Sequence, residues 1–329
     1  MKDKDTEEKN IIEEIIFSIQ KYNTFLITLH SNPDGDTLGS ALAMSSWIKR
    51  MNKKASIYSF HRWRKIYDFL PNINEIILTN RVTAKFDVGI LIECNNLQRT
   101  GGIVSKENFN FVINIDHHRY NEMYGNINWV DTNASATSEL VYKLIKHSDM
   151  GLTRNEALYL YVGILTDTGG FKQKNATPAA YRIAAELINE PYNISPAEVA
   201  NYIYYNKSLE EIKLLSLSLG TLTVVDVGRF KVAYQTITRD MYKTAGAEHD
   251  ESEGIVDWGI YINGVNISIL FREKEDGIVM VSFRSRGEID VAKIAKKFGG
   301  GGHPNASGCS IKGDIENVKK DIFDSIAQL

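Results

Sequence analysis

Short apolar runs recur through the first half of the chain, at 24–29, 55–58, 88–92 and 111–115, each closed by a polar or glycine-containing connection. None alternates apolar with polar residues, as a strand with one wet face would, so these strands are expected to be buried on both faces of a parallel sheet. Between the first two runs, Leu38, Leu42 and Trp47 recur at helical spacing over 36–50, which predicts a strand feeding a helix. From 137 to 219 the pattern is mostly helical, with helices predicted at 138–147, 154–165, 178–188, 196–205 and 209–219. Beyond 221 it turns β-rich, with strands predicted at 229–234, 266–271 and 278–283. The expected fold is therefore α/β: an N-terminal parallel-sheet domain with helices on both faces (1–190), a helical linker (191–220) and a smaller α/β C-terminal domain (221–329).

Three predicted strands end on ligand-type residues. His30, Glu93 and Asp116 each stand directly after an apolar run, and sites in open parallel sheets lie beyond the carboxyl ends of the strands. The first cluster, His30-Ser31-Asn32-Pro33-Asp34-Gly35-Asp36, offers an imidazole and two carboxylates that a tight turn could aim at neighbouring cations. Asp116-His117-His118 adds an acid and two imidazoles. Asp167 falls at the end of an apolar helix, where a carboxylate opposes the helix dipole unless a positive group compensates. Each cluster also has an ordinary reading: Asp36 as an N-cap, the paired histidines as surface residues, Asp167 as a turn residue, and Glu93 as a glutamate with no metal role. Taken together they point to a two-metal site. Carboxylates and imidazoles without thiolates favour Mn²⁺, with Mg²⁺ or Co²⁺ as substitutes.

Composition narrows the setting. A chain of 329 residues with 43% hydrophobic content favours two domains over one. A net charge of −3 argues against a general nucleic-acid coat, so a polyanionic ligand has to meet a local basic patch. Two cysteines, Cys94 and Cys309, make no disulfide framework and fit a reducing cytoplasm. The charged N-terminus does not resemble a signal peptide, and no apolar run reaches the length of a membrane span, so no membrane association is expected.

Near the far end, Gly299 to Gly302 precede His303. Read alone, the glycines are either a flexible hinge or a cradle whose amides approach an oxyanion, with His303 hydrogen-bonding or stacking on a base. Arg284, Ser285 and Arg286 at a predicted strand end suit phosphate or purine-edge contacts. Lys293, Lys296 and Lys297 on the preceding helix either reinforce that pocket or form a solvated face.

From about residue 20 to the end the chain resembles the DHH-family phosphoesterases that carry a DHH-associated C-terminal domain, and within them the NrnA-like oligoribonuclease and pAp-phosphatase type. The resemblance rests on the His30 to Asp36 cluster, Asp116-His117-His118, Asp167, and Arg284-Ser285 followed by Gly300-Gly301-Gly302-His303. It implies two Mn²⁺ ions, with His30 and Asp34 on one, Asp36, His117 and Asp167 on the other, and a carboxylate bridging both. Asp116 would orient the site and His118 would face the phosphate, while Arg284, Ser285, Gly300, Gly301, Gly302 and His303 would bind substrate. At the bridging position the family usually has Asp where this chain has Glu93, one methylene longer.

The resemblance further implies hydrolysis of two- to five-nucleotide RNA, of linear dinucleotides such as pApA and pGpG, and of pAp, releasing 5′-mononucleotides. Other readings are a nucleotide-binding regulator without catalysis, motivated by Glu93, a cyclic di-AMP phosphodiesterase, and a pyrophosphatase or polyphosphatase. A processive exonuclease, which would hold long nucleic acid as a stable partner, is disfavoured for want of added nucleic-acid-binding modules. A homodimer is compatible with the sequence.

Overall fold

A computed structural model describes residues 2–329, with side chains from Thr6 onward. The chain divides into two compact units, Met1–Asn206 and Lys207–Leu329.

The first unit runs α1 (Lys2–Lys21), β1 (Thr24–Thr28), α2 (Gly35–Arg50), β2 (Lys54–Ser59), β3 (Ile77–Leu78), β4 (Phe86–Ile92), β5 (Phe109–Asp116), β6 (Ile127–Val130), α3 (Thr137–His147), α4 (Arg154–Asp167), α5 (Pro178–Ile188) and α6 (Pro196–Ile203). Its six strands form one sheet in the order β3-β2-β1-β4-β5-β6, and every neighbouring pair is parallel. The apolar runs are continuous because the central strands are buried on both sides. Phe25, Ile27, Ile90, Ile92, Ile113 and Ile115 join the core that the helices share, whereas Leu26 and Leu91 point the other way, against Val82, Ile103, Val104 and Phe109. Asp87 ties the start of β4 to the start of β1, its carboxylate accepting from the Thr24 amide at 2.8 Å and the Thr24 hydroxyl at 2.9 Å.

Helix α1 and strands β3 and β6 were not expected from the pattern. In α1 the buried stripe is Ile12, Ile15 and Ile19, with Ile11 and Ile16 packed beside it, and charged residues fill the first half of the helix. The stretch expected as a linker is shared between the units. Val199 and Ile203 of α6 pack into the first core, while α7 (Leu209–Leu219) buries Leu214 in the second.

The second unit continues with β7 (Thr223–Val227), β8 (Phe230–Ile237), α8 (Arg239–Ala245), α9 (Asp257–Ile260), β9 (Ile267–Glu273), β10 (Ile278–Ser285), α10 (Ala292–Lys297), β11 (Gly301–His303), β12 (Ala306–Lys312) and α11 (Ile315–Ala327). Its sheet, β11-β12-β10-β9-β8-β7, is mixed: β8 and β9 pair parallel and the other neighbours antiparallel. One face packs Val279, Val281 and Phe283 against Val318, Ile322 and Ile326 of α11, and the other places Leu270 beside Leu214. Among the described residues no helix is long and apolar enough to cross a membrane.

Candidate active site

Strand ends and helix starts deliver the site, as the chain order suggests. His30 follows β1, and Asp34 is the N-cap of α2, its Oδ1 accepting from the Thr37 amide at 3.0 Å and the Thr37 hydroxyl at 2.9 Å. Two glycines let α2 lie close to α4. A Cβ at Gly35 would collide with the Thr166 side chain, and one at Gly39 with the Tyr159 carbonyl. That approach sets the start of α2 against the end of α4, where Asp167 lies.

Asp36 is not the N-cap. Its carboxylate turns instead to the first turn of α3, accepting from the Thr137 amide at 2.6 Å and the Ser138 amide at 2.8 Å. The free N–H groups and dipole of a helix N-terminus suit a carboxylate in this position.

Glu93 sits just past β4, its amide donating to Ile115 at 3.1 Å, with a left-handed backbone at φ +54°. Such a conformation is uncommon for a residue other than glycine, and it persists only where the surroundings enforce it. The side chain is 2% exposed. One oxygen lies 3.2 Å from Nε2 of His117 and the other 3.9 Å from Nε2 of His30, and the Thr37 hydroxyl donates to it.

Among the described residues of the first unit, two groups of ligand atoms therefore converge, each within 4.8 Å: His30, Asp34 and Glu93, and Asp36, Glu93 and His117. Glu93 belongs to both. Asp167 borders the second group, with Oδ2 3.9 Å from Nε2 of His117. Asn175 holds Asp167 in place, donating at 2.9 Å to its carboxylate and at 3.1 Å to its carbonyl. Asp116, fully buried, accepts from the amides of His117 at 2.8 Å and His118 at 3.0 Å, from Nδ1 of His118 at 2.6 Å and from Asn121 at 2.7 Å. It thereby orients both histidines.

The charge balance is what a cation site requires. Burial pushes the Glu93 carboxyl well above its usual range, and the charges of Asp36 and Asp34 push it further. Burial also raises Asp167, to about 7; the charge of His117 opposes the rise and that of Asp36 adds to it. For His117 burial favours the neutral ring, but the hydrogen bond to Glu93 and the charge of Asp167 prevail and raise it well above the ordinary imidazole value. The protein alone thus crowds carboxylates that repel one another and are relieved only by held protons. Divalent cations would replace those protons, and hard oxygen donors with imidazoles fit such ions. The adjacent Cys94 is turned away, donating to the Ile92 carbonyl at 3.3 Å, and burial pushes its thiol up.

In the second unit the glycine run is neither a hinge nor an open loop. Gly301, Gly302 and His303 form β11, paired with Gly308, Ser307 and Ala306 of β12. A Cβ at Gly300 would strike the Gly308 carbonyl, and one at Gly302 would stand 2.6 Å from the Ala306 carbonyl. At these positions glycine is first a condition of strand packing. Arg284 ion-pairs with Asp257 at 2.8 Å and donates to the Phe283 carbonyl at 3.0 Å. The Ser285 hydroxyl donates to Ile289 at 2.6 Å and accepts from Asn305 at 2.9 Å. Arg286 is bound to the Ile260 carbonyl.

Several residues that build the site were not singled out by sequence. Thr37, Asn121 and Asn175 bond to site residues only three to eight positions away, Thr37 reaching Glu93 as well, but as single polar residues they carry no pattern of their own, and Asp257 sits in a helix that the β-rich pattern concealed. Only Asn121, five residues beyond Asp116, carries a local hint, because short polar side chains often close the turn after a strand.

The DHH family, N-terminal domain, matches residues 24–164, and the DHHA1 domain matches residues 230–329. A protein of Thermus thermophilus named bifunctional oligoribonuclease and PAP phosphatase NrnA is 30% identical over 323 residues, 98% of this chain and 94% of that protein. A protein of the same name from Bacillus subtilis is 30% identical over 301 residues, 91% of this chain and 92% of that one. The crystal structure of an exopolyphosphatase-related protein from Bacteroides fragilis superposes with a TM-score of 0.89 at 26% identity, covering 97% of this chain and 96% of that one. Near-complete coverage of relatives at this identity places the chain in the DHH family, with a DHHA1 domain following, as a metal-dependent hydrolase of phosphoester bonds.

Proposed function

We propose that this protein hydrolyses very short oligoribonucleotides of two to five residues, linear dinucleotides such as pApA and pGpG, and pAp, releasing 5′-mononucleotides. The full-length likeness to relatives named oligoribonuclease and PAP phosphatase supports the substrate class. The observation that carries the catalytic reading is the place of Glu93 in both ligand groups. His30 and Asp34 would hold one divalent ion, Asp36, His117 and Asp167 the other, and Glu93 would bridge them. Mn²⁺ is the ion this donor set prefers, with Mg²⁺ or Co²⁺ as substitutes. Such ions supply Lewis acidity and a water activated for attack on phosphorus.

The protein's own contribution is orientation and proton placement. Asp116 fixes Nδ1 of His118 and with it the direction of the ring, whose Nε2 would meet a phosphoryl oxygen or the leaving group. Asn175 prevents Asp167 from turning away. Thr37, held between Nε2 of His30 and Oδ1 of Asp34 at 2.6 and 2.9 Å, sets the spacing of the first group. The first unit is the catalytic one. In the second, Gly300, Gly301, Gly302, His303 and Ser285 frame the substrate pocket, and Arg284 reaches phosphate by exchanging its contact with Asp257. The two free, buried cysteines suit work in a reducing cytoplasm.

A panel of pAp, pApA, pGpG, a five-nucleotide RNA, cyclic di-AMP and pyrophosphate, assayed with Mn²⁺, tests the reading. Turnover of the short RNA, linear dinucleotides and pAp is expected to exceed that of the last two. Preferential pyrophosphate hydrolysis, or tight binding of pApA without turnover, would overturn it.

A further inference from the structure

The loop that follows Asp167 has features that metal binding does not explain. Its ends are pinned at the site, by Asn175 on the Asp167 carboxylate and by the Lys172 and Gln173 amides on the Thr168 carbonyl at 3.0 and 3.1 Å. At its tip Phe171 has φ +61°, a strained conformation for an aromatic residue. Its ring stacks on Tyr181 of α5, with centroids 5.0 Å apart and planes at 30°, and the Tyr181 hydroxyl donates to the Phe171 carbonyl at 3.2 Å. Tyr181 is 52% exposed, so its outer surface remains open to solvent. Beside them the Lys172 ammonium lies 5.9 Å from the ring of Tyr204, whose hydroxyl donates to Leu165 at 3.4 Å.

Phe171 packs against the first core on one side, but core packing alone needs neither a left-handed phenylalanine nor a half-exposed tyrosine on top of it. Four residues of chain reach at most about 14 Å, so the Phe171 backbone cannot lie farther than that from Asp167. Flat π-surfaces with a cation alongside, tethered to a phosphoester-cleaving centre, match a nucleotide: rings for the base, ammonium for the phosphate.

We propose that Phe171 and Tyr181 form a shelf on which one nucleobase of the substrate stacks, with Lys172 meeting an adjoining phosphate. The shelf is a specificity device for bases in general, since every base has a π-face. It rests on the nucleotide reading above and adds to it a base subsite on the catalytic unit.

The test compares pApA with analogues lacking either base, for the wild-type protein, Phe171→Leu and Phe171→Tyr, in Mn²⁺. Loss of the base at one position is expected to raise the wild-type KM about tenfold. Phe171→Leu should raise the KM for intact pApA by a similar factor and erase the difference between intact and abasic substrate, and Phe171→Tyr should restore both. An abasic penalty in Phe171→Leu equal to that of the wild type overturns the shelf.

A second measurement separates the two readings. Fluorescence of a dinucleotide carrying 2-aminopurine should be quenched by the wild type and by Phe171→Tyr, but not by Phe171→Leu, whether or not the dinucleotide is cleaved. Failure of the wild type to cleave pApA would count against the hydrolase reading alone, whereas equal quenching by all three proteins, or by none, would sink the shelf.

Discussion

Replacing Asp167 by Asn tests the charge balance of the site most directly, because the change keeps shape and removes one negative charge. Asp167 is 15% exposed and its carboxyl is raised from 3.8 to about 7. Since the folded protein holds this proton more tightly than the unfolded chain does, stability falls as pH rises from about 4 to about 7, and the loss is complete above 7. The shift corresponds to about 4 kcal/mol in all, of which roughly 2–3 kcal/mol falls between pH 5 and pH 8. For a unit of this size that is about 5–10 °C in Tm.

Metal-free wild-type protein should therefore melt lower at pH 8 than at pH 5. In Asp167→Asn that decline should shrink by about this amount, since the amide can still accept the Asn175 hydrogen bond and has nothing to ionise. Mn²⁺ should act in the opposite sense. At a hundredfold excess over Kd it should stabilise the wild type by about 2.7 kcal/mol, more at pH 8 than at pH 5 because the proton on Asp167 competes with the ion, and it should stabilise the variant much less. Thermal melts in chelator and in Mn²⁺ at the two pH values decide the matter. The reasoning fails if the variant keeps the wild-type pH slope and the wild-type response to Mn²⁺.

Glu93→Gln should weaken Mn²⁺ binding by at least about tenfold by titration calorimetry, since a neutral amide is a poor bridge between cations; unchanged affinity would remove Glu93 from the site. Asn175→Leu should lower Mn²⁺ affinity and kcat/KM together, by about 10- to 100-fold, as loss of a partner that orients a ligand does. Asp116→Ala should abolish hydrolysis and also cost stability, on the order of 1–3 kcal/mol for each buried amide left unpaired. Urea unfolding reads that cost, and a variant as stable as wild type would contradict the hydrogen bonds described. Arg284→Ala should raise KM, whereas Asp257→Asn should lower it by releasing the guanidinium; identical KM values in the two variants would exclude their exchange as the route to phosphate.

Burial of the first unit's sheet on both sides was legible because it leaves an unbroken apolar run, as in β4 and β5; helices on both faces were expected, but the helices share one core, and the other face is closed by chain around Val82, Ile103 and Val104. The candidate ligands were legible for a related reason: a carboxylate or imidazole placed directly after such a run has few structural uses, and His30, Glu93 and Asp116 all stand there. Helix α1 was missed because its three buried isoleucines are diluted by a charged, solvated surface. The glycine run before His303 reads as cradle or hinge when seen alone, and a strand was not expected there. Its pairing with β12 shows the strand, and the clash a Cβ would meet lies on a carbonyl of the partner.

What the chain determined by itself was the identity of the groups and the elements that end in them, because both follow from local pattern and from the chemistry of single side chains. Tertiary structure decided which of these groups share charge. The closeness of α2 to α4 through Gly35 and Gly39, the turn of Asp36 toward the α3 amides, and the left-handed backbone of Glu93 all depend on contacts between residues far apart in sequence. Electrostatic coupling falls off over a few ångströms, so the protonation and metal preference of the site exist only once those contacts form.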